Sequence, residues 1–157
     1  MKIAFWSVGK AHDSYVRGGI EEFTGRVSRY FSAEWQIIAP PKNAATLPPA
    51  ELKKKEGALV LSMLKEDDYL IALDEYGKSL TSEGLAAMLQ SRANDRSKNV
   101  VFLIGGAYGI DDAIFKRAQF RWSLSALTFP HQLVRLILAE QVYRACTIMR
   151  NEKYHHQ

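Results

Sequence analysis

Strand-like and helix-like stretches alternate from one end of the chain to the other. That alternation predicts an α/β layer fold, a mostly parallel sheet flanked by helices. Two segments carry the prediction. Val100-Val101-Phe102-Leu103-Ile104 is an unbroken apolar run stopped by Gly105-Gly106, the pattern of a strand buried on both faces. Trp122-Ser123-Leu124-Ser125-Ala126-Leu127-Thr128-Phe129 leads to Pro130, after which residues 132–150 carry helical periodicity. Phe129 precedes a proline and is biased towards extended backbone. Pro130 suits a helix start, where its missing N–H would lack a partner anyway. Residues 124–129 are therefore expected as stiff, extended main chain whose free N–H and C=O groups can hold a planar ligand edge-on.

The remaining elements follow in order. Residues 3–8 read as a first strand ended by Gly9, and residues 15–31 as a helix with apolar Tyr15, Val16, Ile20, Phe23, Val27, Tyr30 and Phe31 at helical spacing. Residues 35–39 form a short strand stopped by Pro40-Pro41, and residues 40–49 a loop rich in Ala and Pro. A helix over 50–65 turns Leu52, Leu59, Met63 and Leu64 to one side. Residues 69–73 read as a buried strand ending at Asp74-Glu75. Thr81 is placed to cap a helix over 82–93, and Asp111-Asp112 open a short helix reaching Ala118. Residues 122–127 complete the strand set.

A chain of 157 residues is expected to form one domain, 1–157, with a core of its own. Hydrophobic content of 47% beside 24% charged residues is globular composition and excludes a disordered chain. The formal charge is +4, and residues 110–157 hold seven Lys/Arg against four Asp/Glu, a net of +3. The excess of cations thus sits near the C-terminus, where a polyanion partner would meet it. The lone Cys146 has no disulfide partner and is expected as a buried thiol. The four histidines form no metal set, no apolar run approaches a membrane span, and the apolar part of residues 1–9 is too short for a secretory signal. A soluble cytoplasmic protein with neither membrane nor metal partner is expected.

Gly105-Gly106-Ala107-Tyr108-Gly109 lies between strand and helix, and glycines there let the backbone approach a ligand closely. Its spacing is not that of a dinucleotide fingerprint. Gly77-Lys78-Ser79 resembles the tail of a phosphate-binding loop, but Ala72 stands where that motif needs glycine. Asp74, taken alone, reads as a turn cap. What raises these features is position: Leu73-Asp74, Gly105-Gly106 and residues 124–129 all fall at C-terminal strand ends, the edge where open α/β sheets bind ligands. The tail mixes cations with stackable rings in Arg144, Arg150, Lys153, Tyr154 and His155, which suits RNA contact.

These stretches, with Leu133-Val134-Arg135, residues 139–145 and residues 151–155, make the chain resemble the SPOUT-class methyltransferases that modify a pseudouridine in large-subunit ribosomal RNA. The resemblance spans the full length, including Val8-Gly9-Lys10, with no accessory RNA domain. It implies a C-terminal trefoil knot, an exception to the rule against threaded chains. It further implies S-adenosylmethionine as cofactor, a homodimer whose site is completed across the interface, and methyl transfer to N3 of a pseudouridine on the assembled ribosome. By family correspondence the cofactor contacts are Leu73, Gly105, Leu124, Ser125, Ala126, Leu127, Thr128 and Phe129. The candidates for proton removal or substrate positioning are His155, Arg144, Tyr154, Glu140 and His131, and the sequence does not choose among them. The alternative is an RNA-binding or ribosome-assembly factor that kept the fold without the chemistry.

Overall fold

The computed structural model describes residues 1–156. Five strands, all parallel to their neighbours, form one sheet in the order β2-β1-β4-β3-β5: β1 Lys2–Val8, β2 Ser32–Ile38, β3 Tyr69–Ser79, β4 Asn99–Ile104 and β5 Phe120–Ser123. The helices are α1 Ser14–Val27, α2 Pro49–Met63, α3 Ser82–Asn94, α4 Asp112–Arg117 and α5 His131–Met149. Alternate residues of each central strand serve opposite faces. Ile3, Phe5, Ile71, Val100 and Phe102 pack with Val27, Leu85, Leu89, Leu138 and Val142 of α1, α3 and α5. Ala4, Val8, Leu70, Ala72, Val101 and Leu103 pack with Val60 and Ile114 of α2 and α4. β4 is apolar throughout because it is covered on both sides.

Several boundaries differ from the sequence expectation, each for a physical reason. The first helix stops at Val27 rather than Phe31, since Tyr30 and Phe31 turn back to bond the Val27 carbonyl. β2 starts at Ser32 because it is an edge strand, where alternating polar residues conceal the strand signal. β3 does not end at Asp74-Glu75. It continues to Ser79 along β5, with a register shift between Leu73 and Lys78, and its outer residues are exposed and charged. β5 is the opposite case and ends at Ser123, so residues 124–129 are not an extended continuation of it. The Ser123 hydroxyl donates to the Ser125 carbonyl (3.1 Å) and the Ser125 hydroxyl accepts from the Leu127 N–H (3.0 Å), which bends the segment. Serine competing with the ladder for backbone groups explains the bend.

The capping expectations agree with the structure. Thr81 accepts from the Gly84 N–H (2.9 Å), and Asp111 accepts from the Ala113 N–H (3.2 Å). The proline-rich 40–49 loop contains a 3₁₀ turn, Ala44–Thr46. Cys146 is buried, and burial pushes its thiol up to about 12.

Candidate functional site

The C-terminal ends of β4 and β5 flank the middle of β3 at its register shift, and a cavity of about 180 Å³ opens there. Leu73, Ile104, Leu124, Leu127, Phe129 and Val134 supply its apolar surface. Ser123, Ser125 and Thr128 add hydroxyls, and Asp74 with Glu75 adds carboxylates at one side. The bent 124–129 segment forms one wall. Among the described residues, none of its main-chain groups joins a turn or helix hydrogen bond with other main chain. The buried indole N–H of Trp122, also lining the cavity, has no partner among the described residues. An apolar slot whose backbone groups are only partly engaged by serine hydroxyls, with an orphaned donor beside them, fits an adenosine-bearing ligand, whose ring needs dispersion contacts together with donors and acceptors.

Of the residues assigned to cofactor contact, Leu73, Leu124, Ser125, Leu127, Thr128 and Phe129 line this cavity. Ala126 is exposed and does not. Gly105 stands just beyond Ile104 and lines a separate small cleft with Gly106 and Gly109. Its carbonyl accepts from His131 Nε2 (2.7 Å), so that nitrogen carries the ring proton. Burial, the larger influence, holds His131 below the ordinary histidine value despite this bond. His131 thus ties the glycine loop to the first turn of α5.

Sequence reasoning passed over the rest of that turn. Gln132 accepts from the Asp13 N–H (3.0 Å) and donates to the Ala11 carbonyl (3.4 Å). Arg135 is fully buried; it donates through Nη2 to the Lys10 carbonyl (2.9 Å) and through Nη1 to His12 Nδ1 (3.1 Å). The opening of α5 therefore fixes the loops that follow both β1 and β4. A cation inside the apolar run Leu133-Val134-Arg135-Leu136-Ile137 was the available signal.

Asp74 lies within β3 rather than at a turn. It lines the cavity and accepts from Arg121 through Nε (3.1 Å) and Nη2 (2.7 Å).

The tail residues form a second cluster on α5 and α3. Glu140 accepts from Arg144 Nε (2.9 Å), the Tyr154 hydroxyl (3.1 Å) and Gln141 (2.9 Å). Arg144 also donates to His155 Nδ1 (3.1 Å) and stacks over the Tyr154 ring at 4.7 Å. The other nitrogen of His155 then carries the proton and donates to Glu83 (2.7 Å). Burial first, and then the Glu140 charge, raises the Tyr154 hydroxyl above its ordinary value. The chain reaches this position through an αL residue, Asn151 (φ 55°), with Asn151 N–H bonded to Ile148 O and Glu152 N–H to Thr147 O. Glu152 then accepts from the Tyr30 hydroxyl (2.7 Å), and burial with this bond pushes Tyr30 up to about 12. Arg150 and Lys153 remain exposed, Arg150 lying over the Tyr30 ring.

Four of the five candidates for chemistry, Glu140, Arg144, Tyr154 and His155, are thus one hydrogen-bonded group, while His131 stands apart on the glycine loop. Within one chain that group does not line the cavity. Among the described residues no group of histidine, cysteine and carboxylate side chains is arranged to hold a metal, and no helix is long and apolar enough to cross a membrane.

Comparison with known proteins agrees with this geometry. Residues 1–155 match the family model described as "Predicted SPOUT methyltransferase". The chain is 44% identical over 156 residues to a protein of Cytophaga hutchinsonii named ribosomal RNA large subunit methyltransferase H, covering 99% of this chain and all of that one. It is 45% identical over 157 residues to the protein of that name from Flavobacterium johnsoniae, covering both in full. A crystal structure of a probable methyltransferase from Bordetella pertussis shares the fold, with a TM-score of 0.56 at 13% identity over 92% of this chain and 96% of that one. The parallel sheet, the ligand-sized cavity at its C-terminal edge and the full-length match lead to one conclusion: the chain belongs to the SPOUT methyltransferase family, whose fold implies a knotted C-terminal passage.

Proposed function

We propose that this protein transfers a methyl group from S-adenosylmethionine to N3 of a pseudouridine in large-subunit ribosomal RNA, on the assembled ribosome in the cytoplasm. The cavity above β4, β3 and β5 carries this reading, because it offers an adenosine slot built from main chain at the edge where α/β sheets bind ligands. The relatives' names supply the substrate class.

The cofactor, when bound, presents a methyl on a positively charged sulfonium, so no metal is called for. The chain's own contribution is to hold and orient. Leu73, Leu124, Ser125, Leu127, Thr128 and Phe129 would hold the adenosine, while the His131 bond fixes the glycine loop beside it. Orienting two reactants supplies roughly 7–11 kcal/mol of a barrier, and removing the N3 proton by a positioned base adds typically ~10²–10⁴-fold. In the free chain the Nδ1 lone pair of His155 is engaged by Arg144. Substrate that draws Arg144 to a phosphate or to the uracil edge releases that lone pair, which makes His155 the base; Tyr154 supplies a stacking ring, and Arg150 and Lys153 meet the RNA backbone. Because this group does not line its own cavity, the working site combines the cavity of one subunit with the tail group of a second in a homodimer.

Methyl transfer from labelled S-adenosylmethionine to isolated ribosomes tests the proposal. Incorporation into large-subunit RNA is expected from the wild type, with His155→Ala and Arg144→Ala each reducing the rate at least about 10²-fold. Tight RNA binding without incorporation would instead make the protein a non-catalytic factor.

A further inference from the structure

Glu56 is a buried acid that nothing in the fold answers. It sits on α2 at 6% exposure, and no hydrogen bond or ion pair joins it to a described residue. Carboxylates buried without a partner are costly and therefore rare. Burial pushes its carboxyl above the ordinary glutamate value.

Its position is what gives this meaning. A Cβ added to Gly106 would stand 2.7 and 2.8 Å from the two carboxylate oxygens, so the acid lies directly against the main chain of the glycine loop. It opens onto the small cleft bounded by Val8, Leu103, Gly105 and Ile110, with Lys53 on α2 and Asp111 at the start of α4 as the other charged groups there. Cleft and cavity flank one strand end. Ile104 lines the cavity, whereas its neighbours Leu103 and Gly105 line the cleft, so the two lie on opposite sides of the end of β4. A ligand laid across that strand end would have one end on each side of it.

S-adenosylmethionine has the matching chemistry, an adenosine at one end and an α-amino acid with a free ammonium at the other. We propose that Glu56 is the carboxylate that receives the α-ammonium of this cofactor once the adenosine occupies the cavity. The inference rests on the cofactor reading of the cavity and adds a residue on the opposite face of the sheet. Among the described residues the acid has no partner; with the ammonium in place its burial is compensated by a charge-assisted hydrogen bond.

Calorimetry on the purified protein with S-adenosylmethionine, S-adenosylhomocysteine and 5′-methylthioadenosine tests this, because the third ligand lacks the amino acid. Glu56→Gln is expected to weaken the first two by about 10–100-fold and by the same factor, as befits a lost hydrogen bond between charged groups. The third is expected to bind within about twofold of wild type, since it never reaches the acid. Glu56→Asp, which keeps the charge but withdraws it, is expected to fall in between, and ligand-free Glu56→Gln should melt no lower than wild type. Unchanged affinity for S-adenosylmethionine would overturn the assignment. So would an equal loss for 5′-methylthioadenosine, which marks a structural role, or a loss confined to S-adenosylmethionine, which places the acid at the sulfonium. Failure of the wild type to bind any of the three would instead remove the cavity reading, and this inference with it.

Discussion

At Gly105 an added Cβ would fall 2.5 Å from Ile110 Cγ1 and 3.0 Å from the main chain of Gly109. Gly105→Val therefore distorts the glycine loop itself before any ligand is met. Overpacking of this kind costs about 1–3 kcal/mol, and a lowered melting temperature in thermal denaturation is the expected result. A wild-type melting curve would show that the loop yields freely. Two histidines add a pH dependence. His12 and His131 are both held below the ordinary value of 6.5, chiefly by burial, with the Arg135 charge acting on each in the same direction. The unfolded chain thus takes up protons first as pH falls below 6.5, so their contribution is full above that pH and is lost beneath it. Urea unfolding between pH 7.5 and 5 is expected to show this decline, and His131→Gln to reduce it. Glu56 was not legible as a site residue, because burial without a partner is a tertiary fact that residue type does not reveal, whereas Arg135 was signalled only by standing as a cation within an apolar run.

Among the elements, α5 carries the most. Its first turn binds the loops after β1 and β4, its middle fills the core with Leu138 and Val142, and its last turns hold the tail group. Val142 is buried in the chain's own core. Leu133, Leu136, Ile137 and Ile148 keep part of their surface exposed, as a second copy would require. Leu138→Ala is accordingly expected to cost about 2–5 kcal/mol in chemical denaturation. Leu133→Ala and Ile137→Ala should instead raise the dimer dissociation constant in sedimentation; the reverse pattern would assign the helix faces wrongly. Strands buried on both sides were plain in the sequence, β4 above all. β3 beyond Asp74 was missed because exposed, charged edge residues look like loop, and residues 124–129 were read as extended because two serine hydroxyls do not announce which backbone groups they will take.

For the whole molecule, the order of the strands turned three separate sequence features into one site. Leu73, Ile104 and the 124–129 wall meet only because β3 lies between β4 and β5. The edge was legible from strand ends alone, but the placing of cleft and cavity on opposite sides of β4 was not. The tail is packed through Glu152 on Tyr30 and Tyr154 on Tyr143, whose rings are 4.7 Å apart, so it is no loose end. Truncation after Arg150 removes these contacts and the group around Glu140, yet leaves the cavity wall intact. Affinity for S-adenosylmethionine is expected to stay near wild type while methylation of ribosomes falls by at least about 10²-fold. Equal loss of both would place the tail in cofactor binding instead. The methyl transfer itself is tested most directly by mass spectrometry of large-subunit ribosomal RNA from cells with and without the gene. One N3-methylated pseudouridine is expected to vanish in the deletion and to return when its ribosomes are treated with purified protein and S-adenosylmethionine. An identical modification pattern in both strains would contradict it.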